Sequence, residues 1–449
     1  MKTYCKDKNL LDVSFVVESI LDFMDSNKCR KRWARWIFGK FSGKRAAYVR
    51  KHLHPGDSFL EETAQVIAFE MVDAIARRRI RENILERSYD APVIRYVPIN
   101  DSGSGKDRVL GIECPMMKFY ENLFRYAAEP LFRAKVGTYQ VAAIKGKGQR
   151  FGVRAFRKWL GGDTRGTRYE AQMDIRKCYP SIPHDKILAR LHRDIHKNAD
   201  MIYLIDTMFQ IYRENPSPNT AYGADHGILI GSPASKDLCN YYMSQVYHFA
   251  CENLRSEKKR RGKASRLISH ILLFMDDIHM FGPSKKEMHK AVQEIIRFTR
   301  DQMGIEVKPS WRVYKVSYTD KDGKEHGSRP DCMGNVFRRI GQTEKVYPGG
   351  VKMIFQKVIV TIRGKVFLRA RRKIHRMGKK IRRGERVSPK LARGVASQYG
   401  VFKSSNSYKI RRRYADACAK CASKIVSDME KKKPYNQKNY VRLWRKAYA

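Results

Sequence analysis

Phe274-Met275-Asp276-Asp277 joins two short apolar runs, Ile271-Leu272-Leu273-Phe274 before it and Ile278-His279-Met280-Phe281 after it, and the second run stops at Gly282-Pro283. Two strand-like runs with no separate loop between them predict a tight hairpin with adjacent carboxylates at its tip. Side-by-side carboxylates repel each other, and a divalent cation relieves that repulsion. Asp is also common in plain acidic turns. The pair alone leaves both readings open, and a third carboxylate in matching context is needed to separate them.

At 449 residues the chain is long enough for two or three subdomains with a sizeable core. Its 92 basic residues against 45 acidic ones give a net charge of +47, spread along the whole chain. Such self-repulsion points to a polyanionic partner, whose phosphates release counterions on binding. No stretch approaches the ~18 apolar residues of a membrane span, and the start, Met1 to Asp7, shows no signal-peptide core. Nine scattered cysteines predict reduced thiols in a cytoplasmic setting. Cys418 and Cys421 have CxxC spacing without a second pair, and are expected to be an accident of a helix surface rather than a zinc site.

Residues 1–90 read as helical. Val93 to Val97 and Lys106 to Ile112 read as strands flanking the turn Asn100-Asp101-Ser102-Gly103-Ser104-Gly105. Basic residues on the return strand suit either a triphosphate or plain solvent. Lys145-Gly146-Lys147-Gly148-Gln149 precedes a helix from Phe151 to Leu160, and its glycines allow close approach of phosphate to free N–H groups. The third carboxylate is Asp174, at the end of the strand Glu170 to Ile175, with the aromatic Tyr179 five residues on. Gly227-Ile228-Leu229-Ile230-Gly231-Ser232-Pro233-Ala234-Ser235-Lys236 opens a helix to about Glu252 and suits lying flat beneath a base pair. The basic stretch Lys258 to Lys263 reads as a loop. Further on, Phe367, Ala370, Ile374, Met377 and Ile381 repeat at three and four residues as a buried helix face. Arg369, Lys373, Arg376, Lys380 and Arg383 form a cationic face of the same helix, expected to bend at Gly378.

Taken in order, these stretches resemble the palm of reverse transcriptases, in the group II-intron-like bacterial branch. The first palm motif matches Asp174 to Tyr179, the second Gly227, Gly231 and Ser235, and the third Phe274 to Asp277, with Phe where Tyr is usual. The fourth matches at Gly304 to Lys308, the fifth at Asp331-Cys332-Met333-Gly334, and the finger motif at Lys106 to Ile112. The Lys145 to Gln149 stretch looks like the family's GxG entry, and Ser397 to Tyr408 is thumb-like. The match runs from about residue 92 to 412. Ile230 stands where intron relatives carry Gln, and Lys236 where they carry Pro. The apolar Ile230 looks like the enzymes of diversity-generating retroelements and of several antiphage defence systems. No zinc-bearing endonuclease or RNase H cluster is expected in the chain.

The resemblance implies an α+β right-hand polymerase. Its parts are a helical N-terminal extension (1–90), fingers (91–170), a palm with an antiparallel sheet carrying the Asp residues (171–337, finger insertion around 185–226) and a basic helical thumb (338–449). It implies an RNA-directed DNA polymerase working on a dedicated non-coding RNA, with cDNA as product. Asp174, Asp276 and Asp277 hold two Mg²⁺ ions, helped by the Ile175 carbonyl. One ion activates a primer 3′-hydroxyl, and the other neutralises the leaving pyrophosphate. Arg108, helped by Lys106, meets the triphosphate of the dNTP, above Ile230 and Gly231. Lys308, with Arg312 as its competitor, donates a proton to pyrophosphate. Tyr179 blocks the ribose 2′-hydroxyl. Lys145, Lys147, Gly148, Arg369, Lys373 and Arg376 hold nucleic acid. An idle RNA-binding scaffold and an intron-type enzyme without its endonuclease are the alternatives. An accessory protein or a second copy of the chain stays open as a partner; a membrane does not.

Overall fold

The structure is a computed structural model that describes residues 2–25, 32–53, 56–101, 106–218, 222–260, 263–346, 348, 352–403, 405–431 and 433–448. At its centre is a four-stranded antiparallel sheet in the order His270–Phe274, Asp277–Gly282, Tyr169–Asp174, Arg312–Lys315. The strand Asp277–Gly282 is buried over its last five residues, because both faces of the sheet are covered. Ile271, Leu273, Ile278 and Met280 join one core with helices Ser235–Glu252 and Lys285–Asp301. Leu272 and Phe281 point the other way, onto Phe156 and Trp159 of helix Gln149–Gly162. An alternating strand with two covered faces reads as a continuous apolar run.

Five helices, Val13–Asp25, Arg32–Ser42, Ala46–His52, Ser58–Ala76 and Ile80–Glu86, make up the N-terminal part. Their apolar faces merge with the fingers and palm in one hydrophobic cluster reaching from Cys5 to Ile305. The finger hairpin pairs Ile94–Asp101 with Lys106–Glu113, and the insertion after Pro183 is two helices, His184–Ile195 and Ala199–Glu214. The stretch expected as a basic loop is instead a two-stranded ribbon, Arg255–Arg260 with Lys263–Arg266.

The expected helical thumb from residue 338 begins as β structure. Asn335–Val346 and Lys352–Ile362 form a long antiparallel ribbon, whose Phe337, Val358 and Val360 pack on Phe156 and Trp159. The period-two burial of Val358 and Val360 is the local signature of a strand. Helices start at Gly364, and those of the thumb share a separate core of Ala370, Ile374, Met377, Ile381, Val395, Ile425 and Trp444, among others. Gly364–Arg382 runs as one helix through Gly378. Cys418 and Cys421 lie in this core rather than on a surface, and the eight described cysteines are all free thiols. No helix among the described residues is long and apolar enough to cross a membrane.

Candidate active site

Strand register brings the three carboxylates together. Asp174, the last residue of its strand, pairs directly with Asp277, the first residue of the next. Phe274 pairs with Asp277 across a two-residue turn of Met275 and Asp276, where Met275 takes a left-handed φ of 58°. A non-glycine residue held there stores strain, as functional turns often do. The Ile175 amide donates to the Asp276 carbonyl (3.1 Å), and the Lys308 amide donates to the Asp174 carbonyl (2.8 Å). In an extended residue N–H and C=O share one edge of the strand. The Ile175 carbonyl is therefore turned toward the hairpin tip, opposite the Val307 with which Ile175 forms a bridge.

Electrostatics mark the same spot. Burial, then the charges of Asp277 and Asp174, push the Asp276 carboxyl up to about 6. Asp277 is raised too, by burial first and Asp174 in addition. Asp174 Oδ2 is bound by the Lys308 ammonium at 2.5 Å, while Asp174 Oδ1 is buried with no hydrogen-bond partner. Among the described residues no group of three Asp, Glu, His or Cys side chains is arranged to hold a metal ion by itself. Even so, an orphaned carboxylate oxygen beside two desolvated carboxyls and a strand-edge carbonyl is an all-oxygen donor set suited to Mg²⁺. Asp174 and Asp277 open on a basin of about 680 Å³ that also includes Arg312, Asp331, Arg363 and Lys365.

Tyr179 lies in a short helix, Cys178–Ser181, entered through Lys177 at a left-handed φ of 45°. Its hydroxyl lies 3.9 Å from Met275 Sδ at the hairpin tip, and burial raises its pKa. The Tyr179 carbonyl accepts from the Ile228 amide (3.0 Å), which ties this ring to the Gly227–Ser235 segment. Gly227 has φ 98°, and a Cβ there would stand 3.3 Å from the Pro180 carbonyl oxygen, so that approach requires glycine. The finger strand reaches the same segment at Gly111, where a Cβ would sit 2.8 Å from Leu229. Ile230 is half-buried and Gly231 exposed; Arg108 is exposed on the finger strand. Lys106 begins that strand, and its side chain lies outside the described residues.

Lys145 is exposed. The Lys147 ammonium donates to the Gly137 carbonyl (3.0 Å), and burial lowers its pKa. Gly148 takes φ 94° at the helix entry, and Gln149 Nε2 donates to the Met333 carbonyl at 2.7 Å. The glycine-rich entry and the fifth motif are therefore neighbours. Arg369, Lys373 and Arg376 lie on the thumb helix, outside the basin.

Supporting residues came only with the fold. Arg363, at the foot of the thumb helix, bonds Asp331 Oδ1 with Nη2 at 2.6 Å and Nε at 2.8 Å. Beneath the sheet, Glu170 is fully buried. It meets His279 Nδ1 at 2.8 Å and accepts from the Tyr314 hydroxyl at 2.5 Å. Burial alone would push the His279 pKa down, but Cys332 and Glu170 turn the shift upward. Glu121, raised well above the usual range by burial and Glu113, accepts from Ser232 Oγ and from the Tyr212 hydroxyl. These contacts brace the Gly227–Ser235 segment from below. The strand-like pattern around Glu170 and His279 was the only sequence signal for the first of these networks.

Comparison with known proteins agrees with this geometry. Residues 99–313 match the family described as reverse transcriptase (RNA-dependent DNA polymerase). The chain is 28% identical over 226 residues to an uncharacterized 91 kDa protein in the cob intron of Schizosaccharomyces pombe; the match spans 49% of this chain and 26% of that protein. It is 25% identical over 144 residues to a putative COX1/OXI3 intron 1 protein of Saccharomyces cerevisiae, spanning 32% of this chain and 16% of that one. Matched segment and paired carboxylates coincide: Asp174, Asp276 and Asp277 all lie within the residues 99–313 that match that family.

Proposed function

We propose that the protein is an RNA-directed DNA polymerase of intron-like type, which extends a primer 3′-hydroxyl with dNTPs on an RNA template. The observation that carries the reading is the register setting Asp174 opposite Asp277, beside the raised carboxyl of Asp276. Mg²⁺ held by Asp174, Asp276, Asp277 and the Ile175 carbonyl would lower the pKa of the primer hydroxyl and neutralise the leaving pyrophosphate. Tyr179 narrows the space beside the hairpin tip against a ribose 2′-hydroxyl. Arg108, on the strand that packs over the Gly227–Ser235 segment, is placed to fork onto a triphosphate. The test is primer extension on an RNA template with Mg²⁺. Extension is expected from the wild type, and Asp276→Ala is expected to lose ~10²–10³-fold or more in rate. Equal activity of the two proteins would overturn the reading.

The template in this reading is a dedicated non-coding RNA met in the cytoplasm, a setting that the free thiols support. Ile230 favours an antiphage or diversity-generating role. The two relatives named from introns favour a second reading, in which that RNA is an intron. Sequencing the RNA and cDNA that copurify with the protein separates them: flanking exon junctions support the intron, and a variable repeat with its matching template repeat supports diversification.

A further inference from the structure

The thumb contains a second concavity, outside the basin of the carboxylates. Helix Gly364–Arg382 carries cations on both flanks of its buried seam. On one flank Lys373 lies along helix Pro389–Lys403, 3.6 Å from where a Gly394 Cβ would stand. The opposite flank carries Arg371, Gly378 and Arg382 and faces Lys409, Arg413 and the final helix Gln437–Tyr448. Between them lies a cavity of about 410 Å³. It is open in the middle because Gly378 presents no side chain there, and even a Cβ would remain 3.9 Å from Trp444 Nε1.

The lining is one-sided in charge. Arg371, Arg382, Lys409 and Arg413 converge on it, and among the described residues no Asp or Glu lines it. Among the described residues Arg371, Lys409 and Arg413 form no ion pair, whereas Arg363 at the foot of the same helix is matched to Asp331. Converging cations repel, and an anion between them turns that repulsion into attraction. The wall also carries two aromatic rings, Phe367 and Trp444, with the Arg382 guanidinium 5.6 Å from the Trp444 ring centre. Cations around a stacking surface are the chemistry of nucleotide capture. The volume admits one nucleotide and not a duplex, and a base can stack on protein only when it is unpaired. Because Arg371, Lys409 and Arg413 are exposed at the rim, a chain can continue out of the cavity on either side.

We infer that this cavity binds one nucleotide of a single-stranded RNA segment, with its base against Trp444 and Phe367 and its phosphate among Arg371, Lys409 and Arg413. The thumb then anchors RNA outside the template–primer duplex. The inference rests on the polymerase reading only in taking the polymer to be RNA.

The test uses the full chain, with an oligouridylate and an RNA–DNA duplex as probes across a salt series. The double variant Arg371→Gln/Arg413→Gln is expected to bind the oligouridylate about tenfold more weakly, with the salt slope reduced by about 0.7 for the one phosphate that loses its contacts. The control double variant Arg372→Gln/Lys379→Gln removes the same charge from exposed positions of the same helix outside the cavity, and is expected to change single-strand binding less than about twofold. Photo-crosslinking of iodouridine-containing RNA is expected to label Trp444 or Phe367. Equal losses in the two double variants, or an equal loss on the duplex, would reduce the cavity to generic basic surface and overturn the inference. So would displacement of the oligonucleotide by uridine monophosphate at a comparable concentration, which would mark a free-nucleotide site. Primer extension is scored separately, so an inactive protein that still shows the contrast overturns the polymerase reading and leaves the pocket standing.

Discussion

Lys308 holds one oxygen of Asp174 while the other is buried and unpartnered. The ammonium is a monovalent stand-in for a stronger cation on the same carboxylate. Replacing it by Met leaves both Asp174 oxygens unmatched beside two further carboxyls, which should cost the metal-free protein about 1–3 kcal/mol. A bound divalent ion recovers stability by mass action. Lys308→Met is therefore expected to melt lower than wild type in EDTA and to gain more from Mg²⁺. Melting curves with and without the ion check this, and an equal gain in both proteins would count against it. Tyr179 is the second residue whose neighbours define a test. Among the described residues its hydroxyl reaches only Met275, so the ring works by filling space. Tyr179→Ala is expected to reduce the preference for dNTP over rNTP by at least ~10-fold, read from paired kcat/KM values. Unchanged preference would return Tyr179 to the palm core.

At the scale of elements, the Gly227–Ser235 segment is held by contacts from several directions, and one of them titrates. His184 Nε2 lies 2.7 Å from the Gly227 carbonyl oxygen and donates to it. Burial pushes the His184 pKa down to about 4, against an ordinary 6.5. Asp225 and the Gly227 contact favour the charged form, Arg213 and His226 oppose it, and burial outweighs them all. A histidine kept neutral by the fold is protonated more readily when unfolded. Its share of stability is complete above about pH 6.5 and is lost as pH falls toward 4, by roughly 3 kcal/mol in full. Urea unfolding at a series of pH values is expected to show that loss in the wild type and a flatter profile in His184→Gln. Parallel profiles would assign the pH dependence to other groups. The hairpin and the helix before it, to about Glu252, were legible from turn chemistry and periodicity; the helix Lys285–Asp301 came only with the structure. The ribbon Asn335–Ile362 was not, since its two strands are long and polar in part and so lack a clean apolar alternation.

Over the whole molecule, a net charge of +47 suits a polyanionic partner, and the thumb helix Gly364–Arg382 carries a dense share of it. Replacing Arg369, Lys373 and Arg376 together by Gln should shorten cDNA products and lower the salt slope of template–primer binding by about 2.7, if each side chain meets one phosphate. Product length and binding across a salt series check this, and unchanged values would place the duplex elsewhere. Three carboxylates, two flanking strands and the order of the motifs could be read in advance, because side-chain period, turn residues and short spacings are local properties of the chain. The partners of those carboxylates could not. Lys308 meets Asp174 across 134 positions, and Glu170 meets His279 across 109. Such meetings depend on strand register and on which faces helices cover, and no local pattern encodes either. The chain by itself determined which residues carry the chemistry; only the tertiary structure decided that Asp174 faces Asp277, that Lys308 closes on them, and that a thumb cavity gathers four cations without an acid, because burial and long-range pairing are settled together by the packed whole.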